Sequence, residues 1–313
     1  MLNKQHETQS FSMGEFVWWT GVVEDRQDPL KLGRVRVRML GYHSDDKALI
    51  PTNKLPWAMP LQDIASAAMS GIGMSPTGIV EGTWCIGFFR DGHNAQDPVV
   101  LGTLGGIPEG KTPSKGFHDP SGKYPLDDHM GEADTNRLSR NEKISETVVQ
   151  TKKDDVETGV QKSLDDGTWD EPETPYAAKY PHNHTRETEN GLIEEFDDTQ
   201  GKERYHRYHP SGTFIETHPD GTEVRKIKKD KYELIAGDEY IHVKGDVSIT
   251  IEGDANILVE GDSRLETKGN RDEYVQGNYQ LEVGGTMKLK AGSRAYFDAP
   301  RIDLNGPGQP INF

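Results

Sequence analysis

The chain has 313 residues, 52 acidic and 36 basic, for a formal charge of −16, with 33% hydrophobic residues and a mean hydropathy of −0.78. No apolar run approaches the ~20 residues of a membrane-spanning helix, residues 1–15 lack the basic-then-apolar order of a signal peptide, and a single cysteine, Cys85, excludes an intrachain disulfide framework. So acidic a chain is also a poor partner for duplex DNA, where affinity rests on neutralising phosphates with Lys and Arg.

Residues 1–115 are nearly neutral and read as short strands between turn signals. Residues 16–23 are rich in aromatic and β-branched side chains, Asp28-Pro29 turns the chain, and residues 34–38 alternate as Arg-Val-Arg-Val-Arg. In a strand this alternation sends Val35 and Val37 into a core and Arg34, Arg36 and Arg38 outward. Residues 84–89 and 99–104 give further apolar strands, Cys85 among them as a core thiol. Roughly five strands in ~100 residues predict a small closed barrel of OB type. An arginine-bearing strand on such a barrel suits single-stranded nucleic acid, but no aromatic residues interleave with these arginines and the region is neutral. A solvated or partner-facing strand is the better reading, with no nucleic-acid partner.

Residues 116–175 hold 15 acidic and 7 basic side chains and only 13 apolar ones. That is too little apolar surface to offset the ordering entropy, so an extended acidic linker is expected, with a short helix at most around Ile144, Val148 and Val149. Between 176 and 232 the turn signals Asn190-Gly191, Gln200-Gly201, Ser211-Gly212 and Asp220-Gly221 recur about every ten residues. They separate partly alternating segments at 192–196, 204–209 and 213–217, the pattern of an antiparallel meander.

Residues 233–313 carry a strict eight-residue period. Glycine stands at Gly237, Gly245, Gly253, Gly261, Gly269, Gly277 and Gly285, and Asp or Asn follows each of the first six. Two residues before a glycine lie Ile235, Val243, Ile251, Val259, Val275 and Val283; four after lie Ile241, Ile249, Ile257, Leu265, Leu281 and Leu289. At even offsets 16 of 21 positions are apolar and at odd offsets only 4 of 28, which is the signature of strands with one buried face. Each glycine is expected to bend the chain with positive φ. Three octads would make one triangular turn of a solenoid, so a single chain would close only about two turns with raw edges. Three chains around one axis bury the same face and pair every edge, which predicts an intertwined trimeric β-helix. Thr267, Arg271 and Glu273 occupy inward positions, so a local irregularity is expected at 267–275.

An octad spike after an OB barrel resembles a known family. Residues 21–26 (GVVEDR), 28–38 (DPLKLGRVRVR), 54–57 (KLPW), 66–73 (SAAMSGIG), 100–103 (VLGT), 117–125 (FHDPSGKYP), 187–191 (ETENG) and 195–204 (EFDDTQGKER) carry the resemblance. They are similar to the central spike of the baseplate of contractile-tailed, T-even-like phages, whose relatives include the valine–glycine-repeat spikes of type VI secretion. The resemblance implies a homotrimeric, virion-borne needle. Its barrel docks on the baseplate hub protein, and its tip crosses the host outer membrane on sheath contraction. The T-even member has a lysozyme domain between barrel and spike; here that place holds the acidic linker, so no catalytic residue, cofactor or metal is expected.

Asp127-Asp128 and Asp154-Asp155 are adjacent rather than opposed, which does not suit the paired-carboxylate chemistry of a glycosidase. His182 and His184 lack further ligands at metal-binding spacing. The C-terminal end exposes Ile302 and Leu304, and a PAAR-like tip protein or the tail at 306–313 is expected to cover them. Alternative readings are a spike of another contractile injection system or a trimeric tail fibre or depolymerase.

Overall fold

In a computed structural model, residues 16–106, 133–142, 147–162 and 166–302 are described. The chain divides by its internal contacts after Thr250 into two units.

Strands β1 (Val17–Asp25), β2 (Val35–Met39), β3 (Trp57–Pro60), β4 (Trp84–Phe89) and β5 (Pro98–Thr103) close a barrel in the order β1-β2-β3-β5-β4. All neighbours are antiparallel except β3 and β5, the arrangement of an OB fold. The alternation read from the sequence places Trp19, Val23, Val35, Val37, Met39, Cys85 and Phe89 in one core. Burial pushes the Cys85 thiol up to about 12, so it is protonated and inert at neutral pH.

Arg38 departs from the outward orientation expected of it. It is 1% exposed and donates to Glu24 from Nε and Nη2 at 2.6 and 3.1 Å. The cause is a bulge in β1: pairing with β2 shifts between Val23 and Asp25, which leaves Glu24 out of register and beside Arg38. Arg38 also donates to the carbonyls of Ser44 and Ile50, and Arg36 to those of Asn53 and Leu55, so the two arginines pin the loop between β2 and β3. Arg34 pairs with Asp28 at 2.7 Å, and the Arg36 guanidinium lies 4.3 Å from the Trp57 ring centroid.

The acidic segment is partly folded rather than wholly extended. Helices α1 (Arg137–Arg140) and α2 (Val148–Asp154) and a small hairpin, β6 (Val160–Gln161) with β7 (Thr168–Trp169), lie within it. Its few apolar side chains are well placed: Leu138 and Val149 pack with Ile193 of the following sheet. Its charges find partners there too, Asp155 with Lys226 and Lys228, and Glu171 with Lys226. Ile144 and Asp127-Asp128 lie outside the described residues.

The meander is a five-stranded antiparallel sheet in the order β12-β11-β10-β9-β8. Its strands are β8 (Asn183–Glu187), β9 (Ile193–Asp197), β10 (Arg204–Tyr208), β11 (Phe214–Thr217) and β12 (Glu223–Lys226). Its turns fall at the expected glycines, all with φ between 70° and 88°: Gly191, Gly201, Gly212 and Gly221.

Beyond β12 the described residues contain no strand, yet the chain bends with the octad rhythm. The bends fall on each octad glycine and the residue before it, and recur at Gly292-Ser293 and Pro300, past the last repeat glycine. Two expectations need correcting. None of the seven glycines has a φ in the left-handed range, so the bend is made in ordinary backbone space. Nor is the rhythm interrupted at 267–275, where Arg271 donates to Glu273 of the same chain at 3.4 Å.

The barrel's buried ion pair yields a direct test. Glu24→Ala strands the Arg38 guanidinium, and the expected loss is about 3 kcal/mol or more by chemical denaturation followed through tryptophan fluorescence. A loss below about 1 kcal/mol, typical of exposed pairs, would contradict the geometry.

Candidate functional site

Two surfaces distinguish this chain. The first is the octad face. All twelve side chains expected in a trimer core are exposed in the single chain, but in two grades. The residues two before each glycine (Ile235, Val243, Ile251, Val259, Val275, Val283) are 44–57% exposed. Those four after it (Ile241, Ile249, Ile257, Leu265, Leu281, Leu289) are 56–90% exposed. Among the described residues from 231 onward, no backbone N–H bonds to a backbone carbonyl of the chain. Nothing lies within 4 Å of the position a Cβ would take on any octad glycine. Large aliphatic side chains on one parity, along an extended backbone without internal pairing, make an exposed apolar surface of the kind that marks interaction sites.

The second surface is the covered face of the meander, and it is charged. Glu195, His206 and Glu216 stand directly opposite one another on β9, β10 and β11, each 1% exposed. Arg204 bridges the two carboxylates, at 2.8 Å to Glu195 and 2.9 Å to Glu216. Helix α2 adds Lys152, which is 2.7 Å from Glu216 and 4.1 Å from the Phe214 ring centroid. Asn183 donates to Glu195 at 2.8 Å, and Thr174 to Glu216 at 2.9 Å.

Burial pushes Glu195 up, but the His206 hydrogen bond and the Arg204 charge outweigh it and hold the carboxyl at about 2. Burial pushes Lys152 down to about 8 against the pull of Glu216. Burial also lowers His206, which as the neutral ring donates Nδ1–H to Glu195 at 2.6 Å. The alternation of β9 to β11 was legible, but not that one face would bury charge.

The remaining candidates stand beside charged neighbours. Asp155 is bound by Lys226 and Lys228, and the hydrogen bond from Lys228 holds its carboxyl below the usual range. His184 is exposed, 3.7 Å from Asp198, and among the described residues no group of His, Cys, Asp and Glu side chains is arranged to hold a metal. Leu304 and the tail at 306–313 lie outside the described residues.

Comparison with known families accounts for both halves. Residues 41–185 match the Gp5 N-terminal OB domain, and residues 187–293 match the bacteriophage T4 gp5 C-terminal trimerisation domain. The chain belongs to the Gp5 family. It is 48% identical over 251 residues to Protein Gp5 of Vibrio phage KVP40, across 70% of this chain and 59% of that protein. It is 53% identical over 130 residues to the pre-baseplate central spike protein Gp5 of Enterobacteria phage T4, across 39% of this chain and 22% of that protein. The matched portions therefore span only 59% and 22% of these relatives' lengths. Within the Gp5 OB domain the barrel starts ahead of the matched residues, since β1 and β2 precede position 41. The Gp5 trimerisation match takes in strands β9 to β12 of the meander together with all seven octad glycines.

The meander's carboxylates set a pH dependence. Glu195 has a lowered pKa when folded, so its contribution is complete above the unfolded value of about 4.5 and is lost as pH falls toward about 2. A buried neutral His206 acts in the same direction, with stability falling as pH drops below its unfolded value of 6.5. Calorimetry is expected to show the meander transition moving to lower temperature from pH 7 to pH 3. In Glu195→Gln the transition should start lower and move less. An unchanged pH dependence in that variant would contradict the assignment.

Proposed function

We propose that the chain is a structural central spike of a contractile phage tail baseplate, acting as a homotrimer. The observation that carries this reading is the octad face: a long apolar parity and an extended backbone that nothing among the described residues covers or pairs. Three chains wound about one axis cover both, and the family description of residues 187–293 as a trimerisation domain supports that arrangement. The octad glycines fit it as well. In the single chain they have open space and ordinary φ, so the need for a missing side chain arises where a neighbouring chain approaches. The working division is a barrel over 1–115, an acidic connection over 116–175, the meander over 176–232 and the needle over 233–313.

The barrel is the part assigned to docking on the hub. Its wall exposes Trp18 and Leu101, and the connection from β3 to β4 exposes Ile64, Met69, Ile72 and Met74, apolar surface suited to a protein partner. A needle of three interlocked chains spreads axial load over many interchain hydrogen bonds, which suits it to breach the host outer membrane when the sheath contracts. Its role is mechanical, with no hydrolytic centre of its own, and a PAAR-like protein is the proposed cover for the tip.

The two exposure grades predict unequal mutational costs. Residues four after each glycine gain most from a partner chain, so Ile257→Ala should lower the SDS-resistance temperature of the assembly more than Val259→Ala. Burying the larger side chain is worth about 1.5–3 kcal/mol in each of three copies. Light scattering of the wild-type protein should give three times 34.9 kDa. A mass of one chain, or equal effects of the two substitutions, would contradict this reading.

A further inference from the structure

The octads leave their own register open over most of their length. A neighbouring chain displaced by eight residues would meet Val243 in place of Ile235, and Ile249 in place of Ile241, at almost no cost in packing. Repeating strands specify register weakly, and a polar contact made in one alignment only is the usual remedy.

The fifth octad carries the parts of such a contact on the inward parity itself. From residue 235 to 289 the charged residues of that parity are Glu239, Arg271 and Glu273. Glu239 has no basic companion on its parity, whereas Arg271 and Glu273 are opposite in sign and two residues apart. The extended backbone puts both on one face, where Arg271 Nη2 donates to Glu273 Oε2 at 3.4 Å. Their side chains are 58% and 50% exposed, comparable to Val275 and Leu281 of the same parity, so the chains that cover those apolar residues cover this pair too.

Within one chain the pair is poorly satisfied. One long hydrogen bond uses a single N–H of the guanidinium and a single acceptor site of the carboxylate, and most of the capacity of both groups stays open. Charges left in that state in a trimer interior carry a large desolvation cost. Symmetry supplies the missing partners. A threefold axis sets the three copies of Arg271 at one level and the three copies of Glu273 at another. The two levels are separated by at most the ~7 Å between alternate residues of a strand. Three charges of each sign leave the layer neutral.

We propose that Arg271 and Glu273 of three copies of this chain form a closed ring of alternating charges around the needle axis, and that this ring fixes the register of the repeats. The inference rests on the trimeric reading and adds a contact that reading does not contain. Each guanidinium bridges the carboxylate of its own chain and that of a neighbour. An eight-residue slip sets Arg271 against Ser263 or Tyr279 and Glu273 against Leu265 or Leu281, which leaves both charges without their partners. Stranding a buried charge costs far more than exchanging valine for isoleucine, so slipped assemblies are rejected although their apolar packing is equivalent. The ring trades some stability for a single alignment, as one polar position does in a coiled coil.

The test uses the full chain with Ser248→Cys, refolded from guanidinium chloride and then spin-labelled at that outward octad position; the native Cys85 is fully buried and stays unlabelled. The unaltered fifth octad should give a trimer with a single interchain distance. Arg271→Met with Glu273→Leu installs the residues that later octads have at these positions, Met287 and Leu281. That variant should form a trimer with an SDS-resistance temperature no lower than the parent's, but with the distance split into two or more populations. Arg271→Met alone strands Glu273 and should lower the SDS-resistance temperature; an unchanged temperature would contradict burial of the pair. Exchanging the charges, Arg271→Glu with Glu273→Arg, should keep the single distance. An apolar double variant that refolds to one narrow distance would overturn the ring while leaving the trimer intact. So would an apolar double variant that no longer assembles, or a charge exchange that assembles in mixed register. A chain with the unaltered octad that stays monomeric would remove the trimeric reading, and this inference with it.

Discussion

A strand is stable only where its backbone finds hydrogen bonds and its apolar face finds cover, and the octads find neither among the described residues of their own chain. Twelve aliphatic side chains lie open on one parity, and the described backbone over residues 231–302 makes no internal ladder. The rest of the molecule is best understood from that constraint. A single eight-residue layer buries too little to offset the entropy of ordering it, since each residue fixed costs about 1–2 kcal/mol. Cooperativity between stacked layers and between chains has to supply the difference. The constraint also turns low hydrophobicity from a sign of disorder into a geometric consequence. A needle one side chain deep per chain needs only alternate positions to be apolar.

Charge, elsewhere, does work that apolar residues do in larger cores. Glu24 and Arg38 fasten the loop over the barrel from inside its wall, where a bulge has turned the carboxylate toward the guanidinium. In the meander, Lys152, Arg204, Glu195 and Glu216 tie helix α2 to the sheet. Buried pairs of this kind add less net stability than well-packed hydrophobic replacements would, but breaking one is costly, so they favour a single arrangement. Arg26 of the barrel donates to both oxygens of Glu189 at 2.8 Å, a comparable charged contact between barrel and meander at the surface.

What could be read in advance followed periodicity. The alternation at Val35 and Val37, the strand at Trp84–Phe89, the meander turns and the octad spacing all correspond to elements whose local pattern is strong. Strand β3 was not legible as a strand, because Trp57–Pro60 is short, ends in proline and pairs in parallel with a segment distant in sequence. The fate of Arg38 turned on a bulge one residue long in a different strand, which alternation within its own segment cannot reveal. The folding of the acidic segment depended on a few side chains, Leu138, Val149 and Lys152, whose partners lie on a sheet formed later in the chain. The octad glycines illustrate the same limit: their spacing was plain, but not the backbone conformation they would take.

Amide hydrogen exchange across residues 233–302 of the intact protein bears most directly on the central claim. Interchain pairing predicts that octad amides exchange slowly, on the timescale of barrel strands β1 and β4, because their hydrogen bonds are made to neighbouring chains. Complete exchange of the octads within seconds, under conditions where β1 and β4 stay protected, would contradict it.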